Sequence, residues 1–204
     1  MINVKSVCLG ELGNNCYLLT DAESGKAALV DCTDASEKML SFLGNADLEY
    51  ILLTHGHYDH IGGVKEIKER FNAKAVISEA DAPMLSSSKL SLAVFCGGVH
   101  HDTNADILVK EGDIIQLGET EIKVMETPGH TKGGVCYIAE DVMFTGDTLF
   151  CCSCGRTDFP GSSFSEMKNS LHRLASLDKN YKIYPGHEAF STLDFEKHNN
   201  PYMR

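Results

Sequence analysis

The sequence predicts a mixed α/β fold in which one β-sheet packs against another and helices cover the outside. Three observations predict it. Short apolar runs separated by turn residues fill the first 32 residues, single segments with helical spacing separate the later strand-like runs, and no segment has the composition of a flexible linker. Strand-rich blocks interrupted by single helices are typical of layered sheets. We therefore expect one continuous domain over residues 1–204.

The first half of the chain is predicted to begin as a β-meander. Strands are predicted over residues 4–9, 16–20 and 27–32, with turn residues at 13–15 (Gly-Asn-Asn) and 23–25 (Glu-Ser-Gly) between them. Apolar spacing then predicts a helix over 34–43, a buried strand over 50–54, a helix over 61–71 and a strand over 74–78.

The second half has the same character without repeating the sequence. Strands are predicted over residues 114–117, 121–126, 135–139 and 142–145. They are followed by a helix over 164–177, a strand over 181–184 and a closing helix over 192–198. Residues 86–106 have weak periodicity, so we expect a mobile loop there.

The charge balance excludes several classes of partner. The chain has 18 Lys plus Arg and 29 Asp plus Glu, a net charge of −11. Such an acidic surface repels phosphate backbones and anionic lipids, so we expect a small-molecule substrate and neither nucleic acid nor a membrane as partner. No apolar run reaches the roughly 18 residues of a membrane span, and the first residues lack the pattern of a secretory signal. We expect a cytoplasmic protein, and its oligomeric state is not predicted.

The eight cysteines show no repeated Cys-x-x-Cys spacing. In a reducing compartment such cysteines are free thiols that pack as small hydrophobic side chains. The cluster formed by Cys151, Cys152 and Cys154 leaves a thiolate metal site open as an alternative, and we assign these residues no catalytic role.

Four metal-competent side chains lie within six residues of one another. Residues 54–63 read Thr-His-Gly-His-Tyr-Asp-His-Ile-Gly-Gly, directly after a predicted buried strand. On an extended segment His55 and His57 point to the same side, and Asp59 and His60 then start a helical turn. Imidazole and carboxylate are ligands that divalent transition metals prefer. The alternative, helix caps and solvated histidines, explains a lone histidine better than it explains this group.

Three further candidate ligands follow predicted strands, each beside glycine. They are His130 after Thr-Pro-Gly, Asp147 after Thr-Gly, and His187 after Tyr-Pro-Gly. Glycine permits tight turns and close approach of the backbone to an ion. The motif and these three loops together indicate a site for two neighbouring metal ions.

In these residues the chain resembles the metallo-β-lactamase fold superfamily. The ordered set is His55, His57, Asp59, His60, His130, Asp147 and His187. Residues 154–161, Cys-Gly-Arg-Thr-Asp-Phe-Pro-Gly, are similar to those of small glyoxalase II-like hydrolases. The resemblance covers essentially the whole chain and implies a four-layer αββα sandwich with the metals at one edge between the sheets.

The resemblance also implies roles for the candidate ligands. His55, His57 and His130 would hold metal one, Asp59, His60 and His187 would hold metal two, and Asp147 would bridge both. Asp31 would orient a ligand histidine. Two divalent cations, zinc or alternatively iron or manganese, would activate a hydroxide that attacks a thioester such as an S-acyl glutathione. Asp59 is also the candidate catalytic residue that steers the nucleophile's proton.

Several alternatives to this activity remain. The helical domain with which larger glyoxalase II enzymes bind glutathione is expected to be absent, since the chain ends about 17 residues after His187. A persulfide dioxygenase with one iron resembles the same fold and reuses part of the ligand set. A nuclease-like member is disfavoured by the charge. A fourth hypothesis is a non-catalytic module stabilised by closed metal sites.

Three residues are candidates for binding substrate. Arg156, in a glycine-flanked loop, can fork onto a substrate carboxylate, or instead pair with Asp158 or another acid of the protein. Tyr58 lies inside the histidine motif and either lines the pocket or shields the metals. Lys132 can reach an anionic substrate, although a solvated lysine is the alternative. The remaining histidines are interpreted as exposed or structural: His100, His101, His172 and His198.

Overall fold

The structure, a computed structural model that describes residues 1–204, contains two six-stranded sheets. The first sheet has the strand order β1-β2-β3-β4-β5-β6. Strands β1 to β3 pair antiparallel as a meander, and β3 to β6 pair parallel. The bounds are β1 (Ile2–Leu9), β2 (Asn14–Asp21), β3 (Lys26–Val30), β4 (Asp47–Leu52), β5 (Lys74–Ser78) and β6 (Ile107–Val109).

The second sheet has the order β12-β11-β10-β9-β8-β7. Its pairs are antiparallel except for β10 and β11, which run parallel. Strands β8, β10 and β11 therefore point the same way and end at one edge. The bounds are β7 (Ile114–Leu117), β8 (Thr120–Glu126), β9 (Val135–Ala139), β10 (Val142–Gly146), β11 (Lys182–Pro185) and β12 (Ser191–Thr192).

Six α-helices accompany the sheets. Helices α1 and α3 cover the outer face of the first sheet, and α5 and α6 cover that of the second. Two 3₁₀ turns span Ala82–Ser86 and Pro201–Met203. The helix bounds are α1 (Glu37–Leu43), α2 (Tyr58–Ile61), α3 (Val64–Phe71), α4 (Ala93–Cys96), α5 (Phe164–Ala175) and α6 (Leu193–Asn199).

The buried side chains form three layers that match this arrangement. Strand β3 illustrates the pattern, because Ala28 and Val30 face the second sheet while Leu29 faces α1 and α3. Met167 and Leu171 of α5 cover the second sheet from outside. With helices outside both sheets, the predicted four-layer αββα sandwich is confirmed. None of the helices has the length and apolar character needed to cross a lipid bilayer.

The single helix predicted over 61–71 is wrong. The chain forms α2 and α3 instead, separated by Gly62 and Gly63. A Cβ on Gly62 would lie 2.4 Å from the carbonyl oxygen of Thr33, and one on Gly63 would lie 2.2 Å from that of Asp34. The glycines thus allow two backbone segments to touch, and α2 starts early enough to include Asp59 and His60.

Other differences are confined to short or terminal elements. The strand predicted over 27–32 ends at Val30, because Asp31 has φ 56° and leaves the extended conformation. Strands β6 and β12 were not predicted, since three and two residues carry no periodicity. The segment 86–106 contains α4, and its mobility remains a prediction.

Candidate metal centre

The candidate ligands lie where the two sheets meet, beyond the carboxyl ends of their strands. His55 and His57 follow β4, and Asp59 and His60 are on α2. On the other side His130 follows β8, Asp147 follows β10 and His187 follows β11. Because β8, β10 and β11 run the same way, their ends deliver all three side chains to one edge of the second sheet.

The first group of ligand atoms comes from His55, His57 and His130. All three side chains are buried, and their nearest ring nitrogens lie within 4.8 Å of one another. Nδ1 of His57 is 2.8 Å from Nε2 of His130. Three imidazole nitrogens that converge at this spacing leave room for one cation between them.

The second group consists of Asp59, His60 and His187. Nε2 of His60 is 3.3 Å from Nε2 of His187, and Oδ2 of Asp59 is 3.4 Å from the same His187 nitrogen. His60 is fully buried, whereas His187 and Asp59 retain 18% and 13% exposure. This group is therefore the more open of the two.

The carboxylate of Asp147 lies between the two groups. Its Oδ2 is 3.4 Å from Nε2 of His130, and its Oδ1 is 3.4 Å from Nε2 of His60. Oδ2 is also 3.6 Å from Nε2 of His187. One side chain thus reaches both groups, as a bridging ligand must.

Unpartnered buried atoms test whether these residues fit a metal. Nε2 of His55 and Oδ1 of Asp147 are buried and have no hydrogen-bond partner in the protein. Leaving such atoms unpaired costs about 1–3 kcal/mol each. Both atoms face the ligand groups, and imidazole and carboxylate are good donors to divalent cations, so the residues fit the group.

Neighbouring groups fix the orientation of several ligand rings. Nδ1 of His60 lies 2.9 Å from Oδ2 of Asp31, so its Nε2 faces the ligand group. Nδ1 of His130 lies 2.7 Å from the carbonyl oxygen of Arg156, and Nδ1 of His187 lies 3.2 Å from that of Leu12. Such contacts set the tautomer of a metal-binding imidazole. The expected role of Asp31 agrees with this geometry.

The electrostatics differ between the two groups. Burial, reinforced by the neighbouring imidazoles, holds the pKa of His55 well below its ordinary value, and burial together with His130 lowers the pKa of His57 to about 3. Burial opposes a charge on His60 too, but the carboxylates of Asp59, Asp31 and Asp147 outweigh it and raise its pKa to about 10. The first group therefore offers neutral imidazoles, while the second holds a proton that a cation would displace.

Two residues of the site were not found by sequence analysis. Nδ2 of Asn14 donates to Oδ2 of Asp59 at 2.9 Å and lies 3.2 Å from Nε2 of His60. Asp81 accepts hydrogen bonds from the backbone N–H groups of Gly56 and Gly133, and so ties the histidine motif to the loop after His130. Asn14 lies in a segment that reads as turn chemistry, and Asp81 lies outside any motif.

A cavity of about 570 Å³ opens onto the ligands. Its walls include Tyr58, Phe150 and Phe159, together with Arg156 and the exposed carboxylate of Glu188. Tyr58 thus lines the pocket, one of the two roles considered for it.

The two cationic candidates occupy different positions. The guanidinium of Arg156 forks onto Asp158 at 2.6 and 2.7 Å and lies over the ring of Phe159, 4.2 Å from its centroid. Of the roles considered for Arg156, the structure contains the ion pair. Lys132 does not line the metal cavity and instead faces an adjacent groove.

The cysteine cluster supplies no side chain to the two ligand groups, although Cys154 lines the cavity beside them. The thiols of Cys151 and Cys152 lie within 4.8 Å of the carboxylate of Glu196. That carboxylate already accepts hydrogen bonds from the Cys152 N–H, Ser191 and Asn200. All eight cysteines are free thiols, as predicted.

Comparison with known proteins decides the family. The family model of the metallo-beta-lactamase superfamily matches residues 9–187. The chain belongs to the metallo-beta-lactamase superfamily. Members of this superfamily are metal-dependent enzymes that act on small molecules and bind divalent metals, typically zinc. The resemblance seen in the sequence is thereby confirmed.

The matches to relatives in this superfamily cover different shares of the relatives' length. An uncharacterised protein of Aquifex aeolicus is 34% identical over 98% of this chain and 96% of its own length. A hydroxyacylglutathione hydrolase of Rhodopseudomonas palustris is 35% identical over 84% of this chain but only 61% of its own length. The hydroxyacylglutathione hydrolase GloC of Haemophilus influenzae is 30% identical, and the match covers 99% of this chain and 98% of GloC.

Solved structures agree with the fold. The B3 metallo-beta-lactamase BLEG-1 superposes with a TM-score of 0.92 at 28% identity, over 98% of this chain and 99% of the other. The di-iron-bound form of TTHA1623 superposes with a TM-score of 0.86 at 32% identity, over 97% and 99%. ETHE1 from Myxococcus xanthus superposes with a TM-score of 0.80 at 27% identity, over 98% of this chain and 83% of the other.

Proposed function

We propose that this superfamily member is a dinuclear metallohydrolase that cleaves a small thioester, in the manner of a hydroxyacylglutathione hydrolase. The observation that carries the proposal is the carboxylate of Asp147, which lies 3.4 Å from both His130 and His60 and so reaches both ligand groups. In the proposal His55, His57 and His130 hold one cation, and Asp59, His60 and His187 hold the other. Asp147 is shared between them.

When bound, the cations would supply Lewis acidity for a carbonyl oxygen and would lower the pKa of water towards neutrality. Zinc is our first choice, and iron and manganese suit the same donors. The protein contributes position and charge. Burial alone would raise the pKa of Asp59, but His60, His187 and Asn14 outweigh it and hold that pKa below its usual range. Asp59 is therefore anionic and steers the nucleophile by accepting its hydrogen, not by donating one.

A thioester suits this site because its leaving group needs no proton from the protein. A thiol has a pKa near 8.5, so a thiolate departs more easily than an amine or an alkoxide. The cavity wall contains Phe150, Phe159 and Leu92, apolar side chains on which the acyl group would lie. The hydroxyacylglutathione hydrolases among the relatives, two of which are described above, support the same substrate class.

The test joins metal content to activity. Purified protein is analysed for metal and assayed against thioesters, phosphodiesters and lactams. We expect two equivalents of a divalent metal and cleavage of thioesters alone. His57→Ala and Asp147→Ala each lose metal and activity, whereas His172→Ala, on the exposed side of α5, keeps both. Wild-type metal content in either ligand variant contradicts the ligand assignment.

A persulfide dioxygenase with one iron is the second candidate. A solved structure 32% identical to this chain was determined in a di-iron-bound form, so iron fits a related site, and the number of irons bound per chain distinguishes the dioxygenase from a dinuclear hydrolase. Iron-loaded protein assayed with a persulfide separates the two functions. Oxygen uptake supports the dioxygenase, and thioester cleavage without oxygen supports the hydrolase.

A further inference from the structure

A groove of about 400 Å³ lies beside the metal cavity, and we call it the lysine groove. Its apolar walls include Met84, Leu90, Phe95 and Pro160, contributed by the 3₁₀ turn after β5, the segment around α4 and the loop before α5. Two lysines, Lys89 and Lys132, also line it.

The lysine groove carries unpaired positive charge on an acidic protein. Lys89 and Lys132 are exposed, and neither makes a salt bridge or side-chain hydrogen bond within the chain. Asp81 also lines the groove, but it is fully buried and its oxygens accept hydrogen bonds from Gly56 and Gly133. The whole chain has a net charge of −11, which repels anions, so this groove is a local exception.

The lysine groove adjoins the metal cavity. Leu92 lines both of them. Phe159, a wall of the cavity, directly precedes Pro160, a wall of the groove, and Lys132 lies two residues after the candidate ligand His130. Leu92 is therefore the border that a chain attached to a carbonyl carbon at the metal centre would cross to enter the groove.

We propose that the lysine groove binds the thiol half of the substrate, and that this half is a phosphopantetheine-type arm such as that of coenzyme A. This proposal rests on the proposed function as a thioester hydrolase. Methylene and amide groups of the arm would lie on the apolar walls, and its phosphate would meet Lys89 and Lys132. Lysine recognises phosphate as a point charge, whereas planar carboxylates are matched by arginine, and Arg156 is already paired with Asp158. Glutathione would bring carboxylates and an ammonium group of like charge to the groove, and no phosphate.

The test compares thioesters that share an acetyl group. The substrates are acetyl-coenzyme A, S-acetyl phosphopantetheine, S-acetyl pantetheine without phosphate, and S-acetyl glutathione. We expect kcat/KM for acetyl-coenzyme A to exceed that for S-acetyl pantetheine by about 10-fold, mostly through KM. An equal advantage for S-acetyl phosphopantetheine assigns recognition to the phosphate of the arm. A kcat/KM advantage that only acetyl-coenzyme A shows assigns recognition to the phosphates of the nucleotide.

The variants isolate the two lysines. In Lys89→Gln/Lys132→Gln we expect KM for acetyl-coenzyme A to rise about 10-fold, with kcat and the S-acetyl pantetheine kinetics unchanged. Lys110→Gln/Lys168→Gln changes the net charge equally with exposed lysines outside the groove, and leaves every KM unchanged. Equal kcat/KM for acetyl-coenzyme A and S-acetyl pantetheine would contradict binding of the thiol half in the lysine groove. A lysine variant that changes the kinetics of neither substrate would contradict it as well. Neither result contradicts the proposed thioester hydrolase.

A binding measurement separates this proposal from the proposed function. Calorimetry of coenzyme A with metal-loaded protein needs no turnover. Binding that the Lys89→Gln/Lys132→Gln pair weakens about 10-fold supports the groove even if none of the thioesters is cleaved. Failure of all four thioesters contradicts the hydrolase, and failure of coenzyme A to bind contradicts the groove.

Discussion

Oδ2 of Asp31 lies 2.9 Å from Nδ1 of His60 and fixes which ring nitrogen faces the candidate metal centre. Asp31 itself is held by the backbone N–H and the hydroxyl of Thr54, at 2.9 and 2.9–3.1 Å. Its φ of 56° turns the chain out of β3 and points the side chain inward. A single residue thus couples the end of one strand to the start of the histidine motif.

This contact predicts the effect of Asp31→Asn. The amide oxygen carries no charge and accepts a weaker hydrogen bond from Nδ1 than a carboxylate does, so the tautomer with a free Nε2 is less favoured. We expect metal affinity to fall about 10- to 100-fold. Competition titration with a chromophoric chelator measures it. Asp34→Asn, three residues along the same loop, leaves the affinity unchanged, and an equal loss in both variants would contradict an effect through His60.

The contact of Gly63 with the loop after β3 predicts the effect of Gly63→Ala. The φ of Gly63 is −95°, which alanine adopts readily, so any cost comes from the Cβ that would lie 2.2 Å from the Asp34 oxygen. We expect a loss of about 1–3 kcal/mol in the free energy of unfolding, measured by urea denaturation. Metal content falls as well, because Gly63 connects α2, which carries Asp59 and His60, to α3.

Gly25→Ala serves as the comparison. Gly25 has φ +74°, and no atom lies within 4 Å of the position that a Cβ would take, so its cost is backbone strain alone. We expect lower stability with unchanged metal content. Metal loss in this variant as well would show that Gly63 acts through general destabilisation.

Asp21 gives the protein a stability that depends on pH. The hydroxyl and N–H of Ser24 and the hydroxyl of Thr120 donate to its carboxylate and hold its pKa below the usual range. A lowered pKa in the folded state stabilises the protein above the unfolded pKa of about 3.9, and this contribution is lost as the pH falls below it.

We therefore expect Asp21→Asn to lower the thermal unfolding midpoint at pH 7, and the difference from wild type to narrow below about pH 4. Calorimetry at pH 7 and at pH 3 measures both. Asp47→Asn removes an exposed salt bridge with Lys26 and produces a small shift. A wild-type midpoint in Asp21→Asn at pH 7 would contradict the role of Asp21.

The ion pair of Arg156 with Asp158 gives a test of Arg156 as a substrate contact. Asp158→Asn frees the guanidinium, so KM for carboxylate-bearing thioesters is expected to fall about two- to five-fold while neutral thioesters are unaffected. Adding Arg156→Ala removes the gain. Equal changes for charged and neutral substrates would mean that Arg156 only supports the Phe159 ring beneath it.

The sequence predicted those parts of the fold that its hydrophobic periodicity encodes. Strands β8, β9 and β10 and helix α5 were found within a few residues, because each buries one regular face. The break between α2 and α3 was missed because helical spacing continues through Gly62 and Gly63. The decisive interaction there is contact with Thr33 and Asp34, far back in the chain. Local patterns contain no information about such an approach.

The same distinction applies to the candidate site. The seven candidate ligands were identified because imidazole and carboxylate beside glycine is an unusual local chemistry, and the structure brings all seven together. Asn14 was missed because an amide in a turn has a common structural explanation, and only folding brings it 2.9 Å from Asp59. Sequence spacing likewise left open whether the carboxylate beside Arg156 belongs to the substrate or to Asp158.

The candidate ligands are divided between the two sheets, four on the side of the first and three on the side of the second. Cations held there would cross-link the two sheets, since separating the sheets would break the bonds between the metals and their ligands. Occupancy and global stability would then be linked by mass action. A chelator would consequently behave as a mild denaturant of the whole molecule, well beyond the loops that hold the ions.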